Sequence, residues 1–443
     1  MTVTEIGPPP ARHAPAAPPD ARQGLAARYR AVRAATEALC APLVTEDYVV
    51  SSMPDVSPTK WHLAHTSWFW ETFALAPHVP GYEALDPKYA FLFNSYYVQA
   101  GERHCRAQRG LVTRPTVSEV YAYRAHVDAH MHALLAEVGD DPAHPAAATV
   151  EIGLNHEQQH QELLVTDIKH VFWTNPTRPA YLPRAAGAAA GAAAGPAAVP
   201  AARWHAVPGG IYEVGFAGAG FAFDNEGPRH RVLTEGFRLA SRLTTNGEWL
   251  AFMEGGGYRR PDLWLSAGWA AVQAERWQAP LYWERGPDGW TEFTLAGSRP
   301  LDPHEPVCHV SFYEADAFAR WAGHRLPLES EWEIAAGAAP VEGGFVEGGR
   351  FHPASLAASA DAPLAQLYGE VWQWTASPYV GYPGFAAAPG AIGEYNGKFM
   401  CDQWVLRGAS CATSRTHARP SYRNFFPADA RWQFSGVRLA AAT

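Results

Sequence analysis

The sharpest chemical signal in the sequence is the run His156-Glu157-Gln158-Gln159-His160. Residues four apart share one face of a helix, so two imidazoles placed this way can hold a single metal ion. The run also has the form H-E-x-x-H, in which a zinc protease uses the glutamate as general base. With 19 histidines in the chain, such a pair alone is weak evidence, and its neighbours must decide. Upstream, WHLAHTSWFW sets His62 and His65 among aromatic residues able to wall a dry ligand set. Two helices could then supply three imidazoles, the third being His62 or His65. Three neutral nitrogen ligands leave positions open on Fe(II) for dioxygen and a substrate, and they equally permit Zn(II) with a water. A protease would draw its third ligand from downstream, whereas the further histidines here lie upstream and Glu162 points toward the opposite flank of the same helix.

Between the two histidine segments runs FNSYYVQAGERHCRAQRGLVTRP, with Tyr96 and Tyr97 followed by Arg103, Arg106 and Arg109. A planar guanidinium matches a carboxylate with two parallel hydrogen bonds, so Arg103 and Arg106 are expected to hold an amino-acid-like substrate. A tyrosine beside an open iron site could give a proton to a reduced oxygen species.

These groups need elements to position them. Apolar residues recur with helical period over residues 22–39, 57–76, 117–138 and 147–172, which predicts a four-helix bundle. The run Ala185 to Ala202 is Ala, Gly and Pro with one Val, and reads as a linker. Beyond it the texture changes to short β-prone runs such as GGIYEVGF, HRVLTEGFRLA, PVCHVSF and WVLRGAS, with one helix expected from Phe312 to Gly323. The expected organisation is an α+β multidomain chain: a tail (1–21), a helical bundle (22–182), a linker (183–203) and an irregular α+β domain (204–443).

The 443 residues suit two or three domains, and Lys+Arg of 35 against Asp+Glu of 44 makes nucleic acid a poor partner. The five cysteines are scattered and never spaced C-x-x-C, which excludes a zinc ribbon and a dense disulfide framework and points to a reducing cytoplasm. The Pro- and Ala-rich N-terminus lacks a signal-peptide core, and no stretch has the composition of a spanning helix, so a soluble protein without a membrane partner is expected.

Together, SMPDVSPTKWHLAHTSWFWETF, FNSYY, HEQQHQELLVTDIKH, GEVWQWTASPY, GEYNGKFMC and YRNFFPADARWQFSGVRLA resemble the ergothioneine sulfoxide synthases over nearly the whole chain. The resemblance implies a DinB-like four-helix bundle joined to a domain of the formylglycine-generating-enzyme, or C-type-lectin-like, fold. It also implies Fe(II), O₂ as co-substrate, and joining of a sulfur donor to C2 of the imidazole of hercynine, the trimethyl betaine of histidine, with oxidation of the sulfur to a sulfoxide. Carried across by motif, His65, His156 and His160 become the iron ligands, and His62 a residue behind them or a packing residue. Gln159 is implied to face the hercynine imidazole, Asn424 its carboxylate, and Arg103 with Arg106 the carboxylate of the donor. Tyr96 and Tyr97 become the catalytic hydroxyls. A quaternary ammonium is best held by aromatic faces, which makes Tyr422, Phe425, Trp372 and Trp374 cage candidates.

Three departures qualify the likeness. No cysteine lies between Ser414 and Asn424, so the second domain looks like a scaffold without the cysteine pair of formylglycine-generating enzymes. Phe425-Phe426 stands where some relatives carry Trp-Asp, which removes a carboxylate for a γ-glutamyl amine and favours free cysteine as donor. Cys105 replaces a proline inside the R-H-x-R motif. Selenoneine synthases, similar in architecture, form the alternative: a C–Se bond between hercynine and a selenosugar.

Overall fold

The computed structural model describes residues 23–182, 199–357 and 362–443. The expected tail (1–21) and most of the expected linker (183–198) lie outside the described residues.

Four helices form where the apolar period placed them: α1 (Leu25–Cys40), α2 (Thr59–Trp70), α3 (Val117–Val138) and α4 (Ala147–Thr174). Helix α1 packs on α4, and α2 lies against both α3 and α4. Every residue of α2 is buried, as befits a helix that is aromatic or apolar on several faces. It continues through a π-turn, Glu71–Leu75, where Glu71 accepts hydrogen bonds of 2.6 Å from the Tyr82 and Tyr123 hydroxyls. Helix α3 begins with a reciprocal cap. The Thr116 hydroxyl accepts from Glu119 N at 3.2 Å, and the Glu119 carboxylate accepts from Thr116 N at 2.6 Å.

The second half opens with strands β1 (Trp204–Val207), β2 (Gly210–Val214), β3 (His230–Thr234) and β4 (Phe237–Ala240). Helices α5 (Asn246–Glu254) and α6 (Ser266–Glu275) follow, then a meander of β5 (Trp283–Gly286), β6 (Gly289–Thr294) and β7 (Gly297–Pro300). After α7 (Phe312–Trp321) and α8 (Glu329–Ala336) come β8 (Trp372–Pro378), β9 (Trp404–Gly408), β10 (Asn424–Phe426), β11 (Ser435–Gly436) and β12 (Ala440–Ala442). The sheet that matters for the site runs in the order β10-β9-β8-β11, with Asn424 opposite Leu406 and Phe425 opposite Val405.

Two expectations need correction. PVCHVSF forms no strand, only a bridge from Pro306 to Thr245, because Val307, Val310 and Phe312 are buried without a partner strand alongside. The one helix expected downstream is joined by α5, α6 and α8. Helix α5 had a legible cap in the Thr245 hydroxyl, which accepts from Glu248 N at 3.3 Å.

A single apolar cluster runs from the bundle into the second half, and polar contacts pin the junction. The buried Glu162 carboxylate on α4 accepts from Trp372 Nε1 (2.7 Å), Ser410 Oγ (2.5 Å) and Thr413 Oγ1 (2.8 Å). Gln158 donates to Ser414 (3.0 Å) and Thr416 (2.6 Å). No helix among the described residues is long and apolar enough to cross a membrane.

Candidate active site

Helix α4 carries His156 and His160 one turn apart, and α2 brings His65 against them, so that one ligating atom of each lies within 4.8 Å of the others. The His65 Nδ1–H donates to the Phe93 carbonyl at 2.6 Å, which leaves the lone pair on Nε2. That atom sits 3.2 Å from His156 Nε2, while His156 Nδ1 is buried without a partner. Burial and the neighbouring imidazoles push all three pKa values well below the usual histidine range, so the rings are neutral and their electron pairs free. Neutral imidazoles converging with their electron pairs available fit a divalent ion of the Fe(II) or Zn(II) type.

The H-E-x-x-H glutamate does not join them. Glu157 is buried on the next face of α4, bound to Arg33 (3.1 Å), Arg124 (3.3 Å), Trp70 Nε1 (2.9 Å) and Thr36 Oγ1 (2.8 Å). Despite burial, the two guanidinium groups and these hydrogen bonds hold its pKa down to about 2. A carboxylate committed to four donors inside the bundle core is no general base, and the protease reading falls with it.

Next to the histidines a cavity of about 330 Å³ opens between the two halves of the chain. From the bundle it is lined by His156, Gln159, His160, Tyr96 and the arginines 103, 106 and 109; from the second half by Tyr395, Tyr422, Asn424 and Phe425. Gln159 is clasped across the junction, donating to the Tyr422 hydroxyl at 2.6 Å and accepting from the Tyr395 hydroxyl. Arg106 is exposed at the rim, 2.8 Å from the Asp55 carbonyl, and Arg103 reaches the Ser95 carbonyl at 3.3 Å.

Of the two tyrosines, Tyr96 lines the cavity, and Tyr97 is buried behind it among Trp68, Phe69 and Phe73. Their rings stack at 4.5 Å and their hydroxyls lie 3.4 Å apart. Burial raises both phenol pKa values, so both keep their protons at neutral pH. The turn that carries them is held from the opposite domain: Glu394 accepts from Val98 N and Gln99 N, each at 2.8 Å.

The aromatic cage is smaller than expected. Phe425 lines the cavity, stacked on Tyr379 at 4.0 Å, and Tyr422 lines it too. Trp372 instead backs Tyr422 at 5.4 Å and donates to Glu162, while Trp374 lies in the sheet core and donates to the Val310 carbonyl at 2.8 Å. Trp372 is spent on the junction with the bundle and Trp374 on the sheet core, a difference that a linear motif does not reveal. Tyr395 and Arg109 are among the cavity residues missed as contacts. Tyr395 lay in plain view in GEYNGKFMC. Arg109 was recognisable as the third cation of its segment; it is buried over the Trp61 ring at 3.4 Å and, among the described residues, its side chain donates to the Ser57 and Ser95 hydroxyls.

A helical bundle joined to an irregular α+β domain, with three histidines facing the junction, defines the two-domain class of the chain. Comparison with known proteins agrees. The DinB superfamily model matches residues 28–164, and the sulfatase-modifying factor enzyme 1-like domain matches residues 192–362 and 349–443. The chain is 34% identical over 423 residues to a hercynine oxygenase of Mycolicibacterium smegmatis, covering 87% of this chain and 91% of the relative. It is 32% identical over 424 residues to that of Mycolicibacterium thermoresistibile, covering 87% and 88%. A formylglycine-generating enzyme of Streptomyces coelicolor is 35% identical over 154 residues, covering 29% of this chain and 45% of the relative. The chain belongs to the ergothioneine sulfoxide synthase family.

Proposed function

We propose that this protein is a non-haem iron, O₂-dependent oxidoreductase that joins the sulfur of free cysteine to C2 of the imidazole of hercynine. In the overall reaction the C2–H and S–H bonds give way to C–S and S–O bonds, and the second oxygen atom of O₂ leaves as water. The observation that carries the reading is the make-up of the cavity: beside the converging His65, His156 and His160 it is lined by three arginines, by Gln159 and Asn424, and by aromatic side chains.

Iron(II) held by His65, His156 and His160 would supply the oxidising chemistry and open positions for a thiolate and O₂. Gln159, fixed by Tyr395 and Tyr422, presents an amide toward the imidazole of hercynine, and Asn424 lies where the betaine carboxylate can reach it. Phe425 and Tyr422 offer aromatic rings to the trimethylammonium group, which has no N–H and cannot donate a hydrogen bond. Arg103 and Arg106 receive the donor's carboxylate. Tyr96, with Tyr97 behind it, holds a phenolic proton at the cavity wall and can release it to the reacting centre.

The hercynine oxygenase relatives support hercynine as the acceptor. The replacement of a carboxylate by Phe426 supports a donor without a γ-glutamyl amine. No feature of the cavity favours a selenosugar, and that reading is not carried further. The test is anaerobic reconstitution with Fe(II) and hercynine plus competing cysteine, γ-glutamylcysteine and selenosugar, followed by air and mass spectrometry. A cysteine adduct of hercynine bearing one added oxygen is expected; a γ-glutamyl or selenium adduct as main product would replace the donor assignment.

A further inference from the structure

We infer that Asp167 and His62 form a hydrogen-bonded relay that fixes the tautomer and tilt of His160, and so set how tightly the three-histidine face holds its metal. The inference rests on the metal reading proposed above and adds two positioning residues to it.

His62 lies one turn before His65 on α2, and Asp167 lies two turns beyond His160 on α4, so helix spacing sets all of them along the same α2–α4 seam. His62 Nε2 is 3.0 Å from Asp167 Oδ2, and His62 Nδ1 is 2.9 Å from His160 Nδ1. Asp167 Oδ2 also accepts from the backbone N–H of Ser57 at 2.9 Å, which anchors the carboxylate to the turn before α2. His62 and Asp167 are 3% and 4% exposed and border the cavity, so both are held in place by these bonds within its wall.

The direction of each bond follows from elementary chemistry. An ionised carboxylate only accepts, so the hydrogen between Asp167 and His62 sits on His62 Nε2. A neutral imidazole protonated there carries its lone pair on Nδ1. The hydrogen between the two imidazoles therefore belongs to His160 Nδ1. His160 is left with its lone pair on Nε2, the atom free to turn toward His65 and His156. The opposite tautomer would put a hydrogen on that atom and block a cation. The negative charge of Asp167, passed through His62, also makes His160 a better electron donor. His65 has its own orienting acceptor in the Phe93 carbonyl. His62, the histidine left out of the ligand set, thus does for His160 what a backbone oxygen does for His65.

The experiment uses full-length protein carrying Asp167→Asn, His62→Leu or His62→Asn. Anaerobic Fe(II) titration gives the affinity, and the visible spectrum of the Co(II)-loaded protein reports the ligand geometry independently of turnover. An amide at 167 can donate to His62 and reverse the relay; leucine at 62 ends it; asparagine at 62 restores an acceptor close to where Nδ1 lies. Asp167→Asn and His62→Leu are expected to weaken Fe(II) binding about 10–100-fold and to shift the Co(II) bands, with His62→Asn recovering part of the loss. Should Asp167→Asn fail to fold, the two His62 variants read the same link. If His62→Leu binds Fe(II) within about twofold of the wild type, or His62→Asn loses as much as His62→Leu, the relay is wrong while the metal reading stands. If the wild-type protein itself binds no Fe(II), both fall together.

Discussion

Among the described residues, two groups of side chains bring metal-ligating atoms within 4.8 Å of one another: His65, His156 and His160 in the bundle, and Glu292, Glu305 and His352 in the second domain. They differ in what stands beside them. Arg299 sits among the acidic cluster, 2.8 Å from Glu292 and bonded to Glu305, and His352 Nε2 completes it at 3.0 Å from Glu305. A guanidinium already supplies the positive charge that two carboxylates require, so a cation would have to displace it. No cation is bonded to the ligating nitrogens of the histidine cluster, whose lone pairs converge on one another. The comparison teaches that closeness of ligating atoms is not enough for a metal site; the electron pairs must also be free of a cation already in place.

The largest effect expected from this contrast is at the ligands. His65→Ala, His156→Ala and His160→Ala should each lose most bound iron and nearly all turnover, beyond the ~10–100-fold cost typical of removing a ligand's own partner. Iron analysis of the purified variants checks it, and retention of iron in His65→Ala with loss in His62→Ala would move the third ligand to His62. Metal stoichiometry sharpens the same contrast: one tightly bound divalent ion per chain is expected, and a second that survives Arg299 in place would break it.

Next in size are the buried charges. Arg299→Met should destabilise the second domain by about 3–5 kcal/mol, the usual cost of leaving buried carboxylates unanswered, with added divalent metal restoring part of the lost melting temperature. Glu157→Gln should cost a similar amount while leaving turnover per folded molecule unchanged; a protease-like base would show the reverse. The Glu157 carboxylate is held below its ordinary 4.5, at about 2, so its contribution is complete above pH 4.5 and is lost as pH falls toward 2. Acid-unfolding curves of the variant should be flatter than wild type over that window.

Smaller effects belong to the cavity. Arg106→Ala should raise the donor's KM about tenfold, the loss of a charge-assisted hydrogen bond, with little change in that for hercynine. Tyr96→Phe should leave both affinities intact, slow coupling and divert flux toward oxidised donor, read as the ratio of the two products. If Tyr96→Phe, Tyr97→Phe and the double variant all keep the wild-type ratio, the proton comes from elsewhere on the wall, and Tyr395, whose ring centroid lies 5.7 Å from that of His156, is the next hydroxyl to remove.

How much of this was legible in the sequence follows the same division. The bundle was, because helical period and a fixed i,i+4 spacing translate directly into faces: α3 spans Val117–Val138 as the pattern predicts, and His156 and His160 point the same way. The second domain was only partly legible, because its cavity residues sit on loops and short strands whose direction depends on long-range packing. Trp372 and Trp374 look as available as Tyr422 in a linear motif, yet the sheet turns them into the junction and the core. The roles of Asp167 and Glu157 were hidden for another reason. Each depends on a partner far away in the sequence, at Ser57 and His62 for the first and at Arg33 and Arg124 for the second.

The division of the cavity between the halves also bears on how the protein is made. A ribosome delivers the chain from its N-terminus, so His65, His156 and His160 are synthesised before Tyr395, Tyr422 or Phe425 exist. Any interval in which the bundle forms ahead of the second domain leaves the imidazoles without their far wall. Nitrogen ligands of this kind bind Cu(II), Ni(II) and Zn(II) more tightly than Fe(II). On the metal reading proposed above, the ion taken up would be the one the nascent chain meets, and protein produced in iron-poor, zinc-rich medium is expected to carry zinc.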